Sequence, residues 1–285
     1  IIDWVANHTA WDHEWVKQHP EWYLKNDKGQ IHSYRYHNGT DVEDWSDVVG
    51  LDYSQKTLWT AMIQAMQYWV KETDIDGFRC DVAHLLPLKF WQQARAKLEA
   101  QKPLFMLAES DDATLHDEAF DMTYDWDLYD QLKALAQGRA DVGALRAWWD
   151  RRRAHYQADD YRMIYTANHD SNSWHGSCAE LYGGLGPFKA MATLAALLPG
   201  MPLVYGGQEA FFEKRLQFFE KDPIDWKDRP LEYFYQSLLH LHRSHPALAH
   251  GAAGGEFAFQ DVGNPHVVAF SRRKGRRQEI GRAHV

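Results

Sequence analysis

The stretch Asp74–Pro87, DIDGFRCDVAHLLP, decides how the rest of the chain is interpreted. Its central run GFRCD has the length of a short strand and carries a charged pair, Arg79 and Asp81, two residues apart. Side chains at positions i and i+2 of a strand project from the same face. Burying a charged pair within an apolar segment is costly unless the two charges pair or serve a function. We therefore interpret Arg79 and Asp81 as candidate functional residues at the end of a strand.

Five further apolar runs have the same character, because each is short and ends in polar residues. They are IIDWVANH, LFMLAE, AFDMTYDW, RMIYTANHD and MPLVYGGQE. Longer segments between them carry apolar residues at helical spacing, among them TLWTAMIQAMQYWVKET, LKFWQQARAKLEA and GPFKAMATLAALL. Alternating strands and helices predict a parallel sheet with helical crossovers. Polar residues at the carboxyl end of every strand favour a (β/α)8 TIM barrel over a doubly wound sheet, which usually has a glycine-rich phosphate loop.

The sequence supplies about six of the eight strands of such a barrel, so we expect an α/β fold that is incomplete at the N-terminus and spans residues 1–250. Residues 9–50 form a polar, aromatic and turn-rich stretch that indicates an inserted small domain. Residues 251–278 contain two strand-like runs joined by DVGNP, which is typical of a hairpin at the start of a C-terminal β domain. Residues 279–285, EIGRAHV, resemble a translated sequencing adapter, and we interpret them as an artefactual tail.

Composition excludes several classes of partner. The 40 acidic and 31 basic residues give a formal net charge of -9, which disfavours a nucleic-acid partner. No segment approaches the roughly 20 apolar residues of a membrane span, so we expect no membrane partner. We expect the basic run Arg272–Arg277 to be a solvated loop and the C-terminal histidines to lie at the surface. Cys80 and Cys178 match neither a disulfide framework nor a metal motif, which predicts two free thiols.

Acidic side chains follow three different predicted strands, at Asp81, Glu109 and Asp170, with Asp3 further back on the first strand. Such carboxylates can converge at a barrel mouth, and glycoside hydrolysis needs two with opposed pKa values. Arg79 would hold Asp81 ionised, as a nucleophile requires. Glu109 has no obvious cationic partner, so we expect burial to raise its pKa and suit it as general acid. The alternative, that these acids are helix caps or turn residues, explains one of them more easily than all three.

Histidines at the strand ends are candidate hydrogen-bond donors to a substrate: His8, His84 and His169. His240 and His242 have the spacing of the metal-binding pair in amidohydrolase barrels. They lie in a helical segment, however, where residues i and i+2 do not share a face. The pattern therefore disfavours a metal-dependent amidohydrolase.

Four of these segments together resemble the signature segments of the α-amylase family of glycoside hydrolases. They are DWVANH, GFRCDVAH, LAE and TANHD, in the expected order, and GMPLVYGGQE is similar to the last barrel strand of that family. The resemblance covers Ile1 to about Lys274. It implies a retaining mechanism through a covalent glycosyl-enzyme, with the carboxyl groups of nucleophile and acid about 5–5.5 Å apart. It also assigns roles: Asp81 as nucleophile, Glu109 as acid/base, Asp170 as transition-state stabiliser, and Arg79, His8 and His169 at the sugar subsite.

Two departures from the family pattern concern calcium and the acceptor side. The Lys-His pair usual three and four residues after the nucleophile is replaced by His84 and Leu85, and the insertion ends in VGLDY with Gly50 at the usual acidic position. Asn7 alone of the matching calcium ligands remains. Calcium requires six to eight oxygen ligands, so we expect no cofactor and a calcium site that is weak or absent.

The function implied by the resemblance is cleavage of α-1,4-glucosidic bonds in starch-type glucans or maltooligosaccharides. One alternative is a transglycosylase or an isomerase of the same fold, such as a trehalose synthase. Another is a catalytically inactive amylase-like binding subunit, which the presence of all three carboxylates disfavours.

Overall fold

The computed structural model describes residues 1–226, 228–275 and 277–284, and for 277–280 and 282–284 it describes the backbone only. The chain divides into two compact units, Ile1–Thr123 and Tyr124–Val285. Each has its own cluster of buried apolar side chains.

The first unit combines a parallel sheet with a small antiparallel sheet. In chain order its elements are β1 (Ile2–Trp4), β2 (His8–Ala10), α1 (Glu14–Gln18), β3 (Ser33–His37), β4 (Val42–Gly50), α2 (Lys56–Thr73), β5 (Gly77–Cys80), α3 (Leu88–Glu99), β6 (Phe105–Ala108) and β7 (Met122–Tyr124). Short 3-10 helices cover Pro20–Trp22, Ala83–Leu85 and Ala113–His116. The parallel order is β1–β5–β6–β7, and the antiparallel order within the predicted 9–50 insertion is β2–β4–β3.

Apolar spacing explains how the helices cover the parallel strands of this unit. Helix α2 buries Leu58, Met62 and Met66, which recur every four residues and form one apolar stripe. The strands approach closely at Gly77, where a Cβ atom would lie 1.9 Å from the carbonyl oxygen of Phe105. Glycine is therefore required at the start of β5, and this close pairing sets the register of the strand that carries Arg79.

The second unit contains two parallel strands, several helices and a three-stranded antiparallel sheet. Its elements are α4 (Trp126–Ala136), α5 (Val142–His155), β8 (Tyr161–Tyr165), α6 (His169–Trp174), α7 (Cys178–Tyr182), α8 (Leu185–Leu197), β9 (Met201–Leu203), α9 (Glu232–Ser244), β10 (Glu256–Gln260), β11 (Val267–Lys274) and β12 (Arg277–His284). Strands β8 and β9 pair in parallel, and β10–β11–β12 form the antiparallel sheet. Val268 and Phe270 of β11 belong to the same core as α8 and α9.

Each of the six predicted strand runs contains one of the parallel strands, and the predicted helices are present. Both cysteines are free, as predicted, and both are buried. Among the described residues, no helix has the length and apolar character needed to cross a bilayer. The domain boundaries predicted above remain predictions, at 9–50, 251–278 and 279–285. The backbone of 279–284 lies in β12, and Val285 lies outside the described residues.

Two predictions about the C-terminal region are wrong. The basic run from Arg272 is not a solvated loop, because β11 continues to Lys274 and Arg272 is only 3% exposed. The C-terminal histidines are not all at the surface, because His242 is buried. His240, two residues earlier on the same helix, is exposed, as helical spacing predicts.

Candidate active site

The centre of the candidate site in the first unit is the guanidinium of Arg79 on β5. Asp81 directly follows β5, and Glu109 directly follows the neighbouring parallel strand β6. Asp3 on β1 lies opposite Arg79 in the strand register. Because the carboxyl ends of parallel strands lie at the same edge of a sheet, Asp81 and Glu109 meet there, and the long Arg79 side chain reaches both.

Arg79 contacts all three carboxylates. Its Nη1 lies 2.7 Å from Oδ1 of Asp81 and 2.9 Å from Oδ1 of Asp3, and its Nη2 lies 2.9 Å from Oε1 of Glu109. The Arg79 side chain is 9% exposed, Glu109 12% and Asp81 23%, whereas Asp3 is 55% exposed. One buried cation thus faces two largely buried carboxylates and a solvated one, which leaves this cluster with an excess of negative charge.

The prediction that Glu109 lacks a cationic partner is wrong. Besides the Arg79 contact, its Oε2 accepts a hydrogen bond from the Val82 amide at 2.8 Å. Val82 makes this contact from the left-handed region, at φ 36° and ψ 46°, which is costly for a β-branched residue. The strained peptide therefore helps to fix Glu109 as a hydrogen-bonded, ion-paired carboxylate.

His8 borders this cluster from the start of β2. The Asn7 amide donates to its Nδ1 at 3.2 Å. Burial lowers the pKa of His8, against the opposing influence of the Asp81 and Asp47 charges. His8 is therefore neutral at neutral pH and can both donate and accept a hydrogen bond. His84 lies in the 3-10 helix that follows Asp81 and is half-buried.

Sequence reasoning missed an aromatic cluster beside His8. The ring of Trp45 on β4 lies 5.6 Å from the His8 ring and 5.1 Å from Tyr34 and stacks on Tyr36 at 5.3 Å. The tyrosines occupy alternate positions of β3 and so share a face. The sequence YRY contains a signal for this face, because strand alternation places its two tyrosines on the same side. The same rule singled out Arg79 and Asp81.

Asp170 and His169 lie in the second unit, in the first turn of α6. His169 Nε2 is 3.2 Å from Oδ2 of Asp170. Helix α6 is capped by Asn168, whose side chain accepts from the Ser171 amide at 2.7 Å. Asn168 is therefore the cap of this helix, and Asp170, whose side chain is one-third exposed, is not, so the alternative interpretation of Asp170 as a helix cap is wrong.

The residues around Asn7 do not fit a calcium ion. Asn7 is buried, and its side chain is engaged by His8 and by the Tyr34 hydroxyl. A Cβ atom at Gly50 would lie 2.6 Å from the Tyr34 ring and 2.8 Å from Leu24 Cδ1, so an acidic side chain has no room there. In the part of the chain that the structure describes, no three His, Cys, Asp or Glu side chains cluster as metal ligands. Weak or absent calcium binding stays a prediction.

Comparison with known proteins places the chain in a family. A family model described as the catalytic domain of α-amylase matches residues 1–229. The chain belongs to the α-amylase family. The α-amylase MalA of Haloarcula japonica is 26% identical over 284 residues, which cover 95% of this chain and 40% of that protein. An α-1,4-glucan:maltose-1-phosphate maltosyltransferase of Rhodospirillum rubrum is 31% identical over 110 residues, which cover 37% of this chain and 15% of that protein.

Solved structures of this family superpose on nearly the whole chain. The maltogenic α-amylase AmyB of Thermotoga neapolitana has a TM-score of 0.85 at 30% identity, covering 99% of this chain and 64% of that one. An α-amylase from Lactobacillus plantarum has a TM-score of 0.82 at 30% identity, covering 96% and 65%. These similarities confirm the predicted α/β barrel class. The chain spans less than two-thirds of the length of these relatives.

Proposed function

We propose that the chain carries the catalytic residues of a retaining glycoside hydrolase acting on α-1,4-glucans or maltooligosaccharides. The observation that carries this proposal is the single buried guanidinium of Arg79, which holds Asp81 and Glu109 together at the ends of adjacent strands. Paired carboxylates are the common requirement of glycosidic bond cleavage. Membership of the α-amylase family, and relatives named α-amylases, support the class of substrate.

Asp81 is the nucleophile of this proposal and Glu109 the acid/base. An Asp81 oxygen attacks the anomeric carbon, the glycosidic C–O bond breaks, and the leaving oxygen takes a proton from Glu109. Glu109 then takes a proton from water, whose oxygen attacks the anomeric carbon and releases Asp81. The transition states carry positive charge on the sugar ring, which the net negative cluster around Arg79 stabilises. Asp170 as stabiliser remains a role taken from the family resemblance.

Glu109 must bind a proton before it can donate one. Arg79 Nη2 and the Val82 amide both stabilise its carboxylate form. Glu109 therefore acts as an acid only after it separates from Arg79, and substrate binding is the event that supplies this separation. Arg79 then remains paired with Asp81.

The substrate-binding part of the proposal involves His8, His84 and His169 as hydrogen-bond donors. His8 is the best supported of the three, because it lies within electrostatic reach of Asp81 and against the aromatic rings of Tyr34 and Trp45. Flat aromatic faces provide apolar contact area for sugar rings. Asp3 contributes through Arg79.

The test is turnover of maltoheptaose by the protein encoded by the complete open reading frame, compared with a Glu109→Gln variant. A matched control is Glu72→Gln, because Glu72 is exposed on α2. We expect shorter oligosaccharides from the wild type and the control, a loss of roughly 10²-fold or more in the Glu109 variant, and retained anomeric configuration by NMR. An unchanged rate in the Glu109 variant would overturn the acid/base assignment.

Sugar transfer is the second candidate, supported by the relatives named maltosyltransferases. The same assay separates the two functions, because a transferase produces chains longer than the heptaose. An isomerase converts maltose without shortening any chain. Saturable binding of maltoheptaose without any turnover would instead support the remaining alternative, a catalytically inactive binding subunit.

A further inference from the structure

Three arginine side chains line one cavity in the second unit, and two of them lie near a buried carboxylate. Arg152 comes from α5, Arg162 from β8 and Arg272 from β11. Oδ2 of Asp125 lies 3.9 Å from Arg152 Nη1 and 3.8 Å from Arg162 Nε. The Asp125 and Arg162 side chains are at least 97% buried, and Arg152 is 13% exposed. Arg152 and Arg162 thus share one buried carboxylate, and Arg272 adds a third guanidinium to the same cavity.

Arg272 has buried hydrogen-bond donors without an acceptor among the described residues. Its Nη2 donates to the carbonyl oxygen of Ala249 at 2.9 Å. Within the described residues, its Nε and Nη1 have no hydrogen-bond partner, although the residue is 97% buried. A buried guanidinium with unused N–H groups on two of its nitrogens has donors available for an oxyanion.

These donors line a cavity of about 400 Å³. Arg152, Arg162, Arg272 and His250 form its charged and polar wall, and Trp149 and Tyr156 contribute aromatic faces. Exposed residues such as Arg153 and Gln157 also line it, so that it reaches the surface. A cavity of this size accommodates a small organic molecule as well as a bare ion.

Charges of both signs act on this cavity: Asp125 and Asp160 raise the pKa of Arg152, while a neighbouring guanidinium group lowers it. Burial and then the charge of Arg152 lower the pKa of Arg272 to about 10. Burial also lowers the pKa of Arg152 to about 10, with Asp125 opposing and Arg162 reinforcing the change. Glu256 lines the cavity but is exposed, so water screens its charge. The guanidinium groups therefore repel one another across the cavity.

We propose that this cavity binds a phosphate group, free or carried by a small molecule. The unused N–H groups of Arg272 donate to phosphate oxygens, and the charges of Arg152 and Arg162 compensate the dianion. When the phosphate is carried by an organic group, Trp149 and Tyr156 cover that group. The site contains none of Asp81, Glu109 or Asp170, so it is a property beyond the proposed glycosidase chemistry.

Calorimetric titration with inorganic phosphate and with phenyl phosphate tests the proposal on the protein encoded by the complete open reading frame. Potassium chloride at matched ionic strength controls for charge screening. The test variant is Arg272→Met, and the matched control is Arg139→Met, because Arg139 is exposed and bonds to Gln137 away from the cavity. Circular dichroism verifies folding, and Arg272→Lys, which keeps the charge but loses the guanidinium, replaces Arg272→Met if the latter does not fold.

We expect saturable phosphate binding in the wild type and the control, weakened roughly tenfold or more in the Arg272 variants. Tighter binding of phenyl phosphate identifies a carried phosphate, and equal binding identifies the free ion. No saturable binding beyond the chloride effect would overturn the site. Equal affinity in the wild type and both Arg272 variants would place phosphate elsewhere and would also overturn it.

Discussion

Replacing Arg79 with methionine removes the cation that Asp3, Asp81 and Glu109 share. Methionine has an unbranched apolar side chain of similar reach, so the change acts mainly through charge. At neutral pH the variant leaves two largely buried carboxylates without their cation. We therefore expect a strong loss of stability, because burying carboxylates without a paired cation is costly.

The size of the effect follows from the exposure of each partner. Asp3 is 55% exposed, so its loss of Arg79 contributes no more than about 1 kcal/mol. Asp81 and Glu109 are 23% and 12% exposed, and breaking buried pairs of this kind costs about 3–5 kcal/mol. For a unit of this size, such a loss lowers the unfolding midpoint by on the order of 10 °C.

Thermal unfolding followed by tryptophan fluorescence measures this difference at neutral pH. Arg151→Met is the control, since Arg151 is half exposed and pairs with the partly exposed Asp127, a pair worth no more than about 1 kcal/mol. If Arg79→Met melts no lower than the control, the Arg79 cluster is not a buried charge centre.

Three further expectations concern other parts of the chain. Gly50→Ala should lower the free energy of unfolding by about 1–3 kcal/mol in thermal denaturation, because the added Cβ would meet the Tyr34 ring. Calcium added to the chelated wild type should leave its melting midpoint unchanged. A rise of several degrees would contradict the prediction of a weak or absent calcium site. Trp148→Phe should cost about 1–3 kcal/mol in chemical denaturation, because Asp125 Oδ1 loses the indole donor at 3.0 Å. Burial lowers the pKa of His242, so the unfolded state takes up its proton first and stability should fall as pH drops below about 6.5; a His242→Gln variant should show a flatter pH dependence of the melting midpoint.

The Arg79–Asp81 pair could be predicted from the sequence because strand alternation is a local rule. The Arg79–Glu109 contact could not, because it depends on the register between β5 and β6, which lie about two dozen residues apart in the sequence. The close approach at Gly77 fixes that register. In the sequence, Glu109 is a single acidic residue after an apolar run, and nothing next to it indicates that Arg79 is its partner.

The errors at the C-terminus have the same origin. Arg272 belongs to a basic run, and runs of like charge are usually solvated. Strand β11 nevertheless continues through it, and Val268 to Arg272 are buried without alternation. His242 was predictable, since it continues the helical stripe of Tyr235 and Leu238 at spacings of three and four residues.

The two arginine clusters carry opposite charge imbalances, and this difference predicts opposite ligands. Around Arg79, carboxylates outnumber the cation, which favours a sugar that becomes positive in its transition state. Around Asp125, guanidiniums outnumber the buried carboxylate, and such a site favours an anion. A fold selected for stability alone would gain by neutralising either cluster with apolar residues. The presence of unbalanced buried charge is what makes each cluster a candidate binding site, and the Arg79 and Arg272 variants test them separately.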